Sequence, residues 1–187
     1  MVKRFLLQFS TSDLVIIALL SAGGIATKPF VRALSQILTG SLIPVGTVAG
    51  IFYMLWIVLA CCIVQKRGTA VLVGIVQSVL VIAFDMLGNR GIANLLVYIV
   101  PGITLELLML LFPRYVSSLF SSFTAGGVCN ATGAVIVGWL FMRLPFIPLM
   151  GSAALSLLFG GLGGVIAFKL YAIVKGFRVR AEVPGDS

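Results

Sequence analysis

The chain alternates between long apolar stretches and short breaks made of charges or of glycine and proline. Cut at those breaks, it divides into six stretches at roughly 13–37, 46–64, 69–87, 92–112, 117–139 and 149–172. Each approaches the ~20 mostly apolar residues that carry a helix across the hydrocarbon core of a bilayer. The breaks are short, so helices adjacent in sequence are expected to run antiparallel side by side. The pattern predicts an all-α integral membrane protein. Residues 1–180 form a compact bundle of six transmembrane helices, and the polar tail 181–187, with Pro184-Gly185, is expected to be disordered.

Composition agrees with the pattern. Of the 187 residues, 60% are hydrophobic and 10% charged, with a mean hydropathy of +1.20, more apolar surface than one small soluble core can bury. The 13 Lys and Arg against 5 Asp and Glu give a net charge of +8, which in a soluble chain would point to nucleic acid. Here the placement of the charges points to topology instead. Nine basic residues (Lys3, Arg4, Lys66, Arg67, Arg114, Lys169, Lys175, Arg178, Arg180) fall at one end of the stretches and four (Lys28, Arg32, Arg90, Arg143) at the other. The excess of positive charge on cytoplasmic loops puts both termini in the cytoplasm, as an even number of spans requires. The basic run Lys169–Arg180 is then expected to lie against anionic headgroups. No nucleic-acid partner is expected. The N-terminal Met1-Val2-Lys3-Arg4 and the apolar run after it imitate a signal peptide, but Gln8–Asp13 interrupts the run, and the next stretch leads into Lys28-Pro29-Phe30 as a span would.

Several chemistries lack their residues. There is no histidine, and Cys61, Cys62 and Cys129 all sit inside apolar runs, so neither a metal cluster nor a disulfide framework is expected. No G-x-x-x-x-G-K-[ST] loop, no G-x-S-x-G and no H-E-x-x-H is present. The chain hydrolyses no ATP by itself, and neither enzymatic activity nor a cofactor is expected of it.

The polar residues that remain collect at the outer end. Lys28 and Arg32 stand four apart around Pro29, either facing a ligand or snorkelling to the headgroups. Tyr53 and Trp56, beside Phe52, share one helix face and read either as an interfacial aromatic belt or as stacking walls for a flat ring. Asp85 lies about 24 Å along the helix from Thr69 and either pairs with Arg90 or meets a ligand. Asn89, Asn94 and Tyr98 follow, and Pro101-Gly102 predicts a kink. Glu106 has no basic residue nearby in sequence, so it must be protonated, paired or turned to a polar cavity. Asn130 is the one amide in a stretch of Gly126, Gly127, Ala131, Ala134 and Gly138. That stretch and the next, with Gly160, Gly161, Gly163 and Gly164, can approach neighbours closely.

The first stretch carries a further pattern. Ala18, Ala22 and Ala26, at i, i+4 and i+8, fall within about 80° of one another on a helix and make a stripe without side-chain ridges. Such a stripe packs either against helices of the same bundle or against a separate subunit. Segments one to three and four to six show no convincing repeat, as a self-sufficient carrier often would. Without an ATPase motif or a repeat the chain has no engine of its own, which favours the partner.

These features resemble the S components of energy-coupling factor transporters, six-helix membrane proteins that capture a vitamin or its precursor. The resemblance rests on Ala18, Ala22 and Ala26, which match the A-x-x-x-A pattern of those proteins. Within the family the hydroxymethylpyrimidine/thiamine type is the most similar, through Gln65-Lys66-Arg67-Gly68-Thr69-Ala70, Leu87-Gly88-Asn89 and Tyr98-Ile99-Val100-Pro101-Gly102-Ile103-Thr104-Leu105-Glu106. Two departures stand out. The acidic residue of that type near the start of the second helix is missing from Pro44-Val45-Gly46-Thr47, and Lys28, Arg32, Arg90 and Arg143 suit an anionic vitamin better than cationic thiamine.

The resemblance implies a prokaryotic plasma-membrane protein that binds its ligand at the outer end, under loops 38–46 and 88–91. It implies docking through the alanine stripe on a coupling transmembrane subunit (the T component) bearing two ATPase subunits, followed by reorientation in the bilayer and release inside. Tyr53, Trp56 and Tyr98 would then stack on a ring, Asn89, Asn94 and Asn130 would bond its edges, and Glu106 and Asp85 would meet an amino or cationic group. A stand-alone carrier or channel, and a membrane enzyme acting on lipid or isoprenoid, are the competing classes; the latter would need paired carboxylates or a histidine at an interface.

Overall fold

A computed structural model describes residues 8–39, 44–84 and 93–182 of the chain. Among these residues six helices follow one another: α1 (Thr11–Thr39), α2 (Gly46–Val64), α3 (Thr69–Ala83), α4 (Ala93–Met109), α5 (Leu119–Leu140) and α6 (Phe146–Glu182). Among the described residues four stretches are long and apolar enough to cross a membrane, namely Thr11–Ile37, Gly46–Val64, Leu119–Leu140 and Phe146–Gly176. Thr69–Ala83 and Leu95–Met109 are shorter apolar helices.

Local chemistry explains the ends. At the start of α1 the Ser10 hydroxyl accepts from the Asp13 backbone N–H at 3.2 Å and the Asp13 carboxylate accepts from the Ser10 N–H at 2.8 Å, a reciprocal cap. Ser118 and Ser121 cap α5 in the same way. Gln65 (φ 53°) closes α2 and Gly68 (φ 90°) opens α3, so the inner turn between them is tight. α1 runs through Pro29, and on the turn before it the Thr27 hydroxyl lies 3.1 Å from the carbonyls of both Gly23 and Gly24.

α6 is the main departure from the expected boundaries. It continues well past 172, so the basic run from Lys169 is helical, and the expected tail begins as helix up to Glu182. The reason is that no proline interrupts the chain between Phe146-Ile147-Pro148 and Pro184. Residues 183–187 lie outside the described residues, as do 85–92, where the third stretch was expected to continue.

The packing is organised on α2, which touches α1, α3, α5 and α6. Its sequence is apolar all round and uncharged, the signature of an interior helix. Of its most apolar 18-residue window 56% is buried, against 22% for α1, whose backbone among the described residues runs close to α2 and α3 alone. α5 and α6 cross closely at Gly126 and Gly160, where a Cβ on either would run into the other's carbonyl oxygen. The large apolar core, including Val58, Cys61, Leu105, Met109 and Cys129, fills the inner half and the middle of the bundle. At the outer end only Ile25, Val81 and Tyr98 form a small separate cluster.

Candidate functional site

Space opens where that core thins. A cavity of about 680 Å³ lies at the outer end, walled by α1 to α5, and α6 contributes nothing to it. It falls in the range of small-molecule sites. α2 and α4 make no backbone contact and face each other across it, and α1 likewise makes none with α4.

One side chain bridges these gaps. The Lys28 ammonium, from α1, stands 3.8 Å from the centre of the Tyr98 ring on α4 and 5.1 Å from that of Tyr53 on α2. Both are cation–π distances. Arg32, one turn further out on α1, also lines the cavity, close enough to act electrostatically on both tyrosines. Both cations are thus on the cavity wall.

Asn130 reaches the cavity from α5. Its amide nitrogen donates to the Ser156 carbonyl at 2.9 Å and to the Thr47 carbonyl at 3.3 Å, tying α5 to α6 and α2. Its Oδ1 has no partner among the described residues. Gln77 on α3 is 2% exposed and lines the same space, again with no hydrogen bond among the described residues. Met54, Ile57 and Cys129 supply apolar surface.

The other expected site residues lie elsewhere. Trp56 is not on the cavity wall: its ring covers Gly23 and Gly24 of α1, where an added Cβ would stand 3.0–3.3 Å from it. Tyr53 and Trp56 share a face, but the longer indole fills the gap the glycines leave between α1 and α2. Glu106 is at the opposite, inner end. Its carboxylate accepts from the Ala70 backbone N–H at the start of α3 (3.0 Å) and from the Tyr115 hydroxyl (2.6 Å), so it is satisfied inside the protein, away from the cavity. Asp85 and Asn89 lie outside the described residues, as does the side chain of Asn94.

Gln77 was missing from the expected set. The signal that singled out Asn130, one amide in an apolar helix, was equally present for Gln77 and would have found it. Ala18, Ala22 and Ala26 are all exposed, on the side of α1 turned away from the bundle. None of the three is buried in the bundle.

Comparison with protein families matches residues 12–133 to the ABC-type cobalt transport system, permease component family. That span covers α1 to α4 and the first part of α5, hence Lys28, Arg32, Tyr53, Gln77, Tyr98 and Asn130. No curated protein and no solved structure matches. With about two thirds of its length matched, this helical membrane chain belongs to the family of permease components of ABC-type cobalt transport systems.

Proposed function

We propose that this transporter component is the substrate-capture (S) subunit of an energy-coupling factor importer in a prokaryotic plasma membrane, taking a small vitamin-like organic molecule from outside. The observation that carries this reading is the outer-end cavity, walled by two tyrosine rings, three amides (Gln36, Gln77 and Asn130) and two cations. Its size and mixed lining suit a small ring compound with polar edges.

The family is described by cobalt, and a bare cobalt(II) ion would ask for histidine, thiolate or carboxylate donors. The chain has no histidine, and the described residues contain no group of three or more Cys, Asp or Glu able to hold a metal. Lys28 and Arg32 on the wall would repel a dication. The cavity therefore fits an organic cargo better than a metal ion.

Import needs an energy source that this sequence lacks, so the partners are a coupling transmembrane subunit (T component) and two ATPases. The exposed Ala18, Ala22 and Ala26 offer that subunit a ridge-free face for close helix contact. Loading ends when the bundle reorients against it and opens to the cytoplasm.

The test is mass spectrometry of small molecules released from the detergent-purified chain, combined with uptake measurements. A retained stoichiometric organic ligand, and uptake that requires added coupling subunit and ATP, are expected. Uptake into liposomes by the purified chain alone would instead make it a stand-alone carrier.

A further inference from the structure

We propose that the ligand of the outer cavity is a small organic anion, a ring compound bearing a carboxylate or phosphate ester, whose anionic group binds between Lys28 and Arg32. The inference rests on the capture reading above and adds the chemical class of the cargo.

It follows from charge accounting. No acidic residue lines the cavity among the described residues. Asp13 and Glu106 are already engaged at the inner end, Asp13 in the one ion pair among the described residues, with Lys66 at 2.6 Å, and Glu106 accepting from Ala70 and Tyr115, while Asp85 lies outside the described residues. Lys28 and Arg32 are thus without a described counter-ion, at a depth where unpaired charge is costly.

Their hydrogen-bonding capacity is unspent as well. The tyrosine faces attract the Lys28 ammonium through their quadrupoles but take none of its N–H groups in a conventional hydrogen bond. Neither Lys28 nor Arg32 donates to an acceptor among the described residues. Arg32 offers a planar fork that matches a carboxylate or phosphate, and Lys28, one turn deeper, a point charge. The amides lie among the cavity's other walls: the free Oδ1 of Asn130 and the Gln77 amide can meet ring-edge donors and acceptors. An anion at the cations and a ring extending toward the amides would satisfy these groups, whereas a cationic ligand would face two like charges and no carboxylate among the described lining residues.

The experiment uses the full chain in detergent and matched probes: hydroxymethylpyrimidine against its monophosphate, and nicotinamide against nicotinate, with thiamine as the cation. Affinities come from ligand-induced thermal shifts and equilibrium dialysis, and the molecules released by the untreated protein are analysed by mass spectrometry. In at least one pair the anionic member is expected to bind tenfold or more tightly than the neutral one, or the released molecule to carry a carboxylate or phosphate. The phosphate and carboxylate pairs distinguish the two anionic groups. Arg32→Gln should cut the anionic preference to less than threefold, and Arg32→Lys should restore part of it. Lys28→Gln should act like Arg32→Gln. Should that variant not fold, the Arg32 pair decides alone.

Equal or tighter binding of the neutral or cationic probes, or release of a molecule without an anionic group, overturns the inference and leaves the capture reading standing. An anionic preference unchanged in Arg32→Gln overturns the assigned position. If no molecule is released and no probe binds, the capture reading itself fails.

Discussion

The two ends of the bundle use similar polar residues to opposite purposes. At the inner end polar groups close on one another: Asp13 with Lys66, Glu106 with the Ala70 N–H and Tyr115, and the Gln65 amide with the carbonyls of Cys62 and Val116 at 2.9 and 3.0 Å. At the outer end Lys28 has two aromatic faces beside it, and both Lys28 and Arg32 border the open cavity. An ionised residue in a membrane helix is commonly read as functional. The contrast shows that the useful distinction is whether its hydrogen-bonding capacity is already used. Glu106 staples α4 to α3, while Lys28 reaches across a cavity between helices whose backbones do not touch.

The comparison breaks most visibly at Glu106. Glu106→Ala strands the Ala70 N–H and the Tyr115 hydroxyl, so a loss of about 2–4 kcal/mol in stability is expected, with ligand affinity nearly unchanged. Denaturation of the purified protein with and without ligand measures both. A large affinity loss at unchanged stability would move Glu106 back to the site. Lys28→Met is expected to do the reverse, weakening ligand binding by about 10- to 100-fold while leaving the unliganded protein as stable as before or more so, because an uncompensated charge is removed.

Ala22→Leu probes a third surface that neither end contains. A ridge on the exposed stripe should block co-purification with the coupling subunit and reduce ATP-driven uptake about tenfold or more, with binding by the isolated chain intact. Loss of binding as well would return the stripe to internal packing.

Smaller effects sharpen the inner end. Tyr115 is buried in the connection between α4 and α5, and burial pushes its phenol well above the usual range. The folded chain therefore holds this proton more tightly than the unfolded one, so its contribution is present below about pH 10 and erodes as pH rises beyond that value. Tyr115→Phe should cost about 1 kcal/mol near neutrality and flatten the alkaline slope of stability. The smallest change is expected for Lys66→Met. Its ion pair with Asp13 is partly exposed, at 38% and 16% of the two side chains, and should contribute about 0–1 kcal/mol and weaken with salt.

Much of the architecture was legible before any coordinates. α2 begins and ends where the apolar pattern does, at 46 and 64, because Pro44-Val45 precedes it and Gln65-Lys66 stops it. The antiparallel succession, the outer location of Lys28, Arg32, Tyr53 and Tyr98, and the small-residue crossing of α5 with α6 follow from period, rise and residue size. Position along a helix gives depth, and spacing gives relative face. Neither gives the rotation of one helix against another. Trp56 and Tyr53 look equivalent in sequence, yet the glycines at 23 and 24 draw the indole to α1 while the phenol meets the cavity. Glu106 looked unpaired only because its partners sit 36 and 9 residues away, at the start of α3 and in the α4–α5 connection.

The sequence by itself thus determined that this is a helical membrane protein, where its helices begin and break, and that it contains no G-x-x-x-x-G-K-[ST] loop and no histidine. These are consequences of apolar length, charge placement and missing residue types, all local properties of the chain. The tertiary structure alone decided which of its costly polar groups are spent on the fold and which face the cavity. That outcome depends on contacts between distant helices, where a carboxylate finds its donors, one cation meets two aromatic rings, and both cations border the cavity.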